Sequence, residues 1–148
     1  MGGGAVLTPS AGVESCILGG NTARYEGGGA FAMDGGIFNN CAVIGNSAEM
    51  GGGIRLWEGG TLNNCSITKN SAKYQGGVFM DNATMNNCIV WDNTATESGE
   101  NNIAESGSTI RYTCSDTLPP GAGNINSEPL FIDATNGNYQ LQHGAPCI

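Results

Sequence analysis

The chain has few basic residues and no long apolar run. Five Lys and Arg residues stand against 13 Asp and Glu residues, a formal net charge of −8 over 148 residues. A nucleic-acid binder needs a basic surface that neutralises phosphates, so this composition argues against that class. No stretch approaches the roughly 18 apolar residues of a membrane-spanning helix. The sequence therefore predicts no nucleic-acid partner and no membrane span.

Histidine is scarce as well, and helical periodicity is missing. His143 is the single histidine, and no two cysteines have the short spacing that is typical of structural zinc sites. No segment carries a helical apolar stripe ten residues long. These absences argue against a zinc-stabilised domain and a helical bundle, and they leave an all-β fold.

Glycine, in contrast, is abundant and recurs with a fixed period. There are 25 glycines, and five cysteines follow one another at steps of 25, 24, 23 and 26 residues: Cys16, Cys41, Cys65, Cys88 and Cys114. Repeats of this length are typical of solenoids, because a single unit cannot bury its own apolar face. The units are 2–26, 27–50, 51–75 and 76–100, followed by a shorter coil at 101–114 and an irregular covering segment at 115–148.

Within each unit, apolar and polar residues alternate as in short half-buried strands. Ile54 and Leu56, for example, flank Arg55. Three short strands and three corners per unit predict that each strand pairs with its equivalent one coil away, at about 4.8 Å. The sequence therefore predicts one domain over 1–148, an all-β, right-handed, single-stranded parallel β-helix of about five to six coils.

Stacked coils place equivalent side chains in vertical rows. One inward row is predicted to be a column of free thiols that fill the core: Cys16, Cys41, Cys65 and Cys88, with Cys114 in line. Two sets of asparagines are expected to form amide ladders between coils: Asn40, Asn64 and Asn87, and Asn21, Asn46, Asn70 and Asn93. A disulfide between Cys114 and Cys147 would fix the covering segment, and two free thiols are the alternative.

Three acidic residues recur seven positions before the repeat cysteines: Asp34, Glu58 and Asp81. Hard cations prefer several oxygen ligands, so one interpretation of this row is a Ca²⁺ site. The favoured interpretation is an acidic corner that keeps the surface soluble. No other cofactor and no transition-metal site are predicted.

An outward row carries apolar side chains. Alternation places Val6, Phe31, Arg55 and Phe79 opposite the core, with Met33 and Trp57 beside them. A contiguous exposed apolar patch marks an interaction surface. The candidate binding residues are Phe31, Met33, Arg55, Trp57 and Phe79. Either another part of a larger protein covers this row, or it contacts a protein or a carbohydrate.

The units GGG-x-x…NNC-x-Ile-x-x-Asn-Ser/Thr-Ala over 2–100 resemble the right-handed parallel β-helix repeats of secreted bacterial surface proteins. These repeats are called pectate-lyase-like and include polymorphic outer-membrane and autotransporter-type passengers. The ending at 128–148 is similar to the final coil of the same proteins. The resemblance implies an extracellular or cell-surface location and a chain that is part of a longer protein. Its scaffold carries lyases, hydrolases, adhesins and spacers, so it implies a fold more than an activity.

Three functional hypotheses follow. The favoured one is a non-catalytic structural or adhesive module that binds protein or carbohydrate through a lateral face, with no catalytic residue assigned. The alternative is a polysaccharide lyase or glycoside hydrolase of the pectate-lyase-like superfamily, or a remnant of one. The lyases implied by the resemblance need clustered aspartates for calcium and a basic residue that abstracts a proton, for which Arg55 is the candidate. End-to-end self-association through open strand edges is the third.

Overall fold

The structure is a computed structural model that describes residues 2–97 and 99–147. Met1, Ser98 and Ile148, the last of which belongs to the resembling ending, lie outside the described residues. The first two coils contain β1 Ala5–Leu7, β2 Gly12–Glu14, β3 Ile17–Gly19, β4 Ala30–Met33, β5 Ile37–Asn39, β6 Ala42–Ile44 and β7 Ser47–Met50. The third and fourth contain β8 Ile54–Trp57, β9 Thr61–Asn63, β10 Ser66–Thr68, β11 Ser71–Tyr74, β12 Val78–Asp81, β13 Thr84–Asn86, β14 Ile89–Trp91 and β15 Thr94–Ala95.

The chain ends in a fifth coil and a hairpin. The fifth coil contains β16 Ile103–Ser106, β17 Thr109–Arg111 and β18 Cys114–Ser115. The hairpin consists of β19 Phe131–Asp133, a 3-10 turn at Ala134–Asn136 and β20 Asn138–Leu141. Among the described residues, no helix is long and apolar enough to cross a lipid bilayer.

Equivalent strands of successive coils pair in parallel, which confirms the predicted solenoid. Sheet 1 has the order β1-β4-β8-β12-β16, sheet 2 β2-β5-β9-β13-β17, sheet 3 β3-β6-β10-β14-β18 and sheet 4 β7-β11-β15. The fold is thus an all-β parallel β-solenoid of about five coils. The expectation of three strands per coil is wrong for the middle of the molecule, where a fourth strand follows the asparagine of each Asn-Ser/Thr-Ala motif.

The core is a stack of apolar rows in the predicted register. Ala30 pairs with Ile54, Phe38 with Leu62, and Val43 with Ile67. Ten apolar side chains larger than alanine are fully buried in these rows: Phe38, Val43, Ile54, Leu56, Leu62, Ile67, Val78, Met80, Met85 and Val90. Each coil buries its inward face only by lying on its neighbours, as expected for a solenoid.

Strands end at residues with left-handed backbone, which explains part of the repeat. The corner after sheet 2 is formed by Ser15, Asn40, Asn64, Asn87 and Tyr112, with φ between 51° and 54°. Asparagine tolerates this conformation better than most non-glycine residues do. The second asparagine of each Asn-Asn-Cys motif is therefore a corner residue.

The glycine triplets allow a close backbone approach. Gly51, Gly52 and Gly53 form the corner between β7 and β8. A Cβ at Gly52 would lie 2.3 Å from the carbonyl oxygen of Ser71. At the third glycine, Gly53, a Cβ would lie 2.6 Å from the carbonyl oxygen of Gly77 and 2.9 Å from Ile67 Cγ2. Real Cβ atoms do not fit at such distances. Glycine is therefore required at these two positions because neighbouring atoms leave no room for a side chain.

The inner asparagine ladder is the main buried polar structure. The side-chain amide of Asn46 donates to Asn70 Oδ1 at 2.9 Å, and that of Asn70 donates to Asn93 Oδ1 at 2.9 Å. Each amide also donates to a backbone carbonyl of the coil below, such as that of Val43 at 2.9 Å from Asn70. Asn21 joins the ladder below, through a 3.0 Å bond to Asn46.

Asn102, which the sequence analysis missed, ends this ladder. Its Oδ1 accepts from the side-chain amide of Asn93 at 2.7 Å, and its own amide donates to Asp116. Asn102 aligns with Gly77 in the preceding coil, because the next residue, Ile103, pairs with Val78. The Asn102 side chain, at the position that Gly77 has in the preceding coil, is thus the rung that follows Asn93 in the ladder.

The other asparagine prediction is only partly confirmed. Asn87 donates to Asn64 Oδ1 at 2.7 Å, but the contacts in the described part of the chain do not extend this ladder to Asn40. An additional ladder forms from the first asparagine of each motif, in which Asn86 donates to Asn63 and Asn63 to Asn39. These strand residues are half-buried, whereas the corner residues are exposed.

The covering segment 115–148 has two parts that occupy different places. Ile125 forms a parallel bridge with Cys114 at the edge of the last coil. The β19–β20 hairpin instead lies along the outer side of sheet 3, where Phe131 and Ala134 face Thr68 and Trp91. Thr68 is only 1% exposed, although it points away from the core.

Candidate binding face

The candidate binding face is the outer side of sheet 1 with its exposed end at Trp57. Its predicted row forms as expected, because Phe31 pairs with Arg55 and Arg55 with Phe79. The predicted exposure of the row is wrong for two residues: Phe31 is 3% and Arg55 is 4% exposed. Gly51 explains part of this burial, since a Cβ there would lie 3.4 Å from Arg55 Cβ. The glycine triplets thus cover one side of the row.

Arg55 is the centre of this face. Its guanidinium carbon lies 3.7 Å from the ring centre of Phe79 and 5.2 Å from that of Trp57. One terminal nitrogen forms an ion pair with Asp81, and the other donates to the carbonyl of Leu56 at 2.9 Å. Cation–π contacts and a partly buried ion pair together fix the side chain in one position. Arg55 is therefore a rigid support for the two rings.

Trp57 and Met33 are the exposed part of the face. Both side chains are 41% exposed, and their residues pair with each other across β4 and β8. Because Arg55 lies against the Trp57 ring, the exposed ring surface is held in a defined orientation. Trp57 is thus a preorganised, exposed aromatic surface. Phe79, which also lies against Arg55, is half-buried.

The expected row of three carboxylates does not form. Asp34 and Glu58 lie at left-handed corners, but in the next coil that corner is Asn82. One residue, Ala83, separates Asn82 from β13, whereas Gly59 and Gly60 separate Glu58 from β9. Asp81 therefore remains in β12 and turns to Arg55. Within residues 2–97 and 99–147, no group of three or more His, Cys, Asp or Glu is arranged to hold a metal ion.

Polar corners surround the exposed ring. Asp34, Glu58 and Asn82 are all exposed. They follow directly after Met33, Trp57 and Asp81, so they lie at the same edge of sheet 1 as the ring. The face thus combines one apolar aromatic surface with several hydrogen-bonding groups. Sequence reasoning identified Arg55 and Trp57 but assigned Asp81 to a different role.

The predicted column of core-filling thiols forms for three of the five cysteines and is wrong for Cys16 and Cys114. Cys41, Cys65 and Cys88 are buried free thiols, and Cys16 is an exposed one. Cys114 does not belong to this column, because it pairs with Ile89 and forms a disulfide with Cys147. The shift by one residue turns Cys114 toward the outside, where the covering segment passes.

The buried thiols have unequal acidities. A hydrogen bond from the Cys88 thiol lowers the pKa of Cys65, although burial opposes this effect. Burial raises the pKa of Cys88 well above its usual range, and it also raises that of Cys41. Desolvation disfavours the thiolate, and this is the main cause of the raised pKa at Cys41 and Cys88.

Comparisons with known proteins identify no relative of this chain. A scan against protein-family models found no match, and searches of curated proteins and of solved structures found none. What is established is therefore the parallel β-solenoid architecture with its stacked asparagines.

Proposed function

We propose that this protein is a non-catalytic β-solenoid module of a secreted or cell-surface bacterial protein, and that it binds carbohydrate through the face around Trp57. The observation that carries the proposal is the support of the Trp57 ring by Arg55, at 5.2 Å from its centre. An aromatic ring held rigid before binding loses little conformational entropy when a ligand packs on it. Resemblance of the repeats to pectate-lyase-like surface proteins supports the same class.

Carbohydrate fits this face better than an extended apolar partner does. A sugar ring offers an apolar side that packs on an aromatic surface, and its hydroxyls need hydrogen-bonding partners at the rim. Asp34, Glu58 and Asn82 supply such partners next to the ring. The net charge of −8 favours a neutral or basic sugar over an acidic polysaccharide.

The lyase alternative receives no support from Arg55. Its guanidinium is 4% exposed and paired with Asp81, and it packs on Phe79. A general base must reach the proton that it abstracts. Arg55 instead acts as a positioning residue for the aromatic surface.

The test uses the fluorescence of Trp57. The chain has two tryptophans, so the substitution Trp91→Phe leaves Trp57 as the single reporter. We expect neutral and basic oligosaccharides to change its emission with saturation, and Trp57→Ala in the native chain to abolish binding in calorimetry. Tyr25→Ala, at an aromatic residue that is 51% exposed elsewhere, is the matched control and should bind normally.

Two results would count against the proposal. One is unchanged carbohydrate affinity in Trp57→Ala while that variant unfolds at the native temperature. The other is the absence of saturable binding across neutral, basic and acidic glycans. Formation of unsaturated product from an acidic polysaccharide, lost in Arg55→Ala, would favour the lyase alternative.

A further inference from the structure

Sheet 3 and the segment that packs beside it enclose a cavity of about 130 Å³. On the solenoid side it is lined by Thr68 and Trp91, which pair with each other across β10 and β14. Both residues follow buried core residues, Ile67 and Val90, so alternation turns their side chains outward. The other side is lined by residues before and within the hairpin: Glu128, Pro129, Leu130, Phe131 and Ala134. This cavity belongs to sheet 3, whereas the Trp57 face belongs to sheet 1.

Thr68 contributes a buried hydroxyl that lacks a partner. The residue is 1% exposed, and its Oγ1 makes no hydrogen bond within the described part of the chain. Most buried hydroxyls in proteins are paired, because burial without a partner costs free energy. Since Thr68 lines the cavity, a polar group bound there can supply the missing partner. A hydroxyl oxygen can accept a hydrogen bond from an N–H group.

Two carboxylates determine the charge that this cavity can accept. Asp92 and Glu128 both line it, and none of the described residues that line it is basic. Asp92 forms an ion pair with Lys69, so one of the two negative charges is already compensated. Glu128 has no ion-pair partner among residues 2–97 and 99–147. The cavity therefore disfavours an anion and suits a group with a single positive charge.

The apolar walls distinguish an organic cation from a metal ion. Ca²⁺ takes about six to eight oxygen ligands, whereas Trp91, Pro129, Leu130 and Phe131 offer none from their side chains. Aromatic rings attract cations to their faces, and apolar walls pack well against methylene groups. The volume is also far below the roughly 300 to 1,000 Å³ of sites for drug-sized ligands, so the occupant has about the size of one side chain.

We propose that the cavity between sheet 3 and the hairpin binds a primary alkylammonium group, carried by a small free amine or by a lysine side chain of a partner. Thr68 Oγ1 accepts one N–H bond, and the Glu128 carboxylate pairs with the positive charge. Trp91 and Phe131 contact the methylene chain. A quaternary ammonium lacks the N–H group that Thr68 needs, and an alcohol lacks the charge that Glu128 needs.

The experiment uses butylammonium, which reproduces a lysine side chain from Cβ to Nζ, as the probe. Two-dimensional NMR of the full chain labelled with ¹⁵N follows the backbone amides of Thr68, Trp91 and Phe131 during the titration. We expect saturable shifts at these residues with a Kd of about a millimolar, because so small a ligand buries little surface. Butan-1-ol and butyltrimethylammonium have the same alkyl chain and should each bind at least about tenfold more weakly.

A second titration distinguishes the two sources of the amine. Nα-acetyl-lysine amide carries the same ammonium group next to a peptide backbone. Saturable shifts at Thr68 with this compound would support a lysine side chain of a partner as the occupant. Shifts with butylammonium alone would support a free amine.

Variants test the two polar contacts separately. Glu128→Gln should weaken butylammonium binding by about tenfold, because it removes the charge and keeps the shape. Glu14→Gln changes the net charge equally at an exposed residue of β2, so it is the matched control and should bind normally. Thr68→Val should weaken binding by about fivefold, whereas Thr68→Ser, which retains the hydroxyl, should bind nearly as the native chain does. The NMR spectrum of each ligand-free variant reports whether it folds.

Three outcomes would overturn the assignment. The first is the absence of saturable shifts at Thr68 and Trp91 with either amine, which would mean that the cavity holds water only. The second is equal affinity for butylammonium in Glu128→Gln and Glu14→Gln, which would mean attraction by the net charge alone. The third is butan-1-ol binding as tightly as butylammonium. Carbohydrate binding at Trp57 is measured separately on sheet 1, so the two proposals can fail independently.

Discussion

At the scale of single residues, the repeated asparagines have three different physical roles. Asn70 is a buried rung whose side chain is joined to Asn46, Val43 and Asn93. Asn63 is a half-buried rung in a strand, and Asn64 is an exposed left-handed corner. Identical letters in the repeat thus differ in burial and in backbone conformation. Their contributions to stability should differ accordingly.

The first prediction concerns Asn70→Ala. The substitution removes the acceptor of the Asn46 backbone amide and side chain, and it removes both bonds that the Asn70 amide donates. Buried donors left without partners cost about 1 to 3 kcal/mol each, so we expect the free energy of unfolding to fall by about 3 kcal/mol or more. Urea denaturation followed by circular dichroism measures it.

Asn63→Ala is the matched control for that experiment. It breaks one side-chain bond to Asn39 and one from Asn86 in a half-buried row. We expect a loss of about 1 kcal/mol. Equal losses in the two variants would show that burial of the inner ladder is not what makes its rungs stabilising.

At the scale of elements, the short strands depend on how their corners are made. The first glycine of a triplet has left-handed backbone, as at Gly51 with φ of 59°, but the second and third are needed because neighbouring backbone lies against them. Gly45, in contrast, lies at an open corner with φ of 64° and no atom within 4 Å of a Cβ. The two classes of glycine should respond differently to substitution.

The second prediction compares Gly52→Ala with Gly45→Ala. At Gly52 the added methyl group meets the carbonyl oxygens of Ser71 and Gly76 at 2.3 and 2.5 Å, so the backbone of the next coil must move. We expect a loss of at least about 3 kcal/mol in the free energy of unfolding. Gly45→Ala should cost only the left-handed conformation, about 1 kcal/mol. Thermal and urea unfolding measure both, and a larger loss in Gly45→Ala would contradict this account of the triplet.

At the scale of the whole molecule, each coil contacts only the coils next to it. Sheets 1 to 3 each run through five coils in the same order, so one inner coil is equivalent to another in its strand pairing. Stability of such a molecule is approximately a sum over coils and their interfaces. Removal of one whole coil should therefore preserve the fold.

The third prediction is that a chain lacking residues 51–74 still folds. The deletion joins Met50 to Gln75, which has the same left-handed conformation as Gly51, with φ of 52° and 59°. It also brings Asn46 below Asn93 and Phe31 below Phe79. We expect cooperative unfolding with a denaturant m-value lower by about one sixth, since 24 of the 148 residues no longer contribute surface. Circular dichroism during urea titration provides the measurement.

A deletion of residues 51–62 is the control for register. It removes about half a coil, so the inward rows of the remaining coils no longer align. We expect no cooperative transition from this chain. If both deletions unfold cooperatively with similar midpoints, alignment of equivalent rows is not what holds the coils together.

The period and the alternation of the sequence determined the fold, the inward rows and the position of the inner ladder. These features depend on residues that are one coil apart, and a repeat of 23 to 26 residues makes that spacing visible in the sequence. The Asn-Asn-Cys motif predicted the ladder of its second asparagines only between Asn64 and Asn87, and it did not predict the ladder of its first asparagines. Repetition reveals what equivalent residues share.

Features in which the coils differ were decided only by the tertiary structure. The shorter corner at Ala83 leaves Asp81 in its strand, where it pairs with Arg55 instead of joining an acidic row. The glycine triplets contribute to the burial of Phe31. Asn102 became the last rung because its neighbour Ile103 pairs with Val78, and the hairpin packed beside sheet 3 rather than over its end. Such outcomes depend on the space left between non-equivalent segments, and no repeat in the sequence encodes that space.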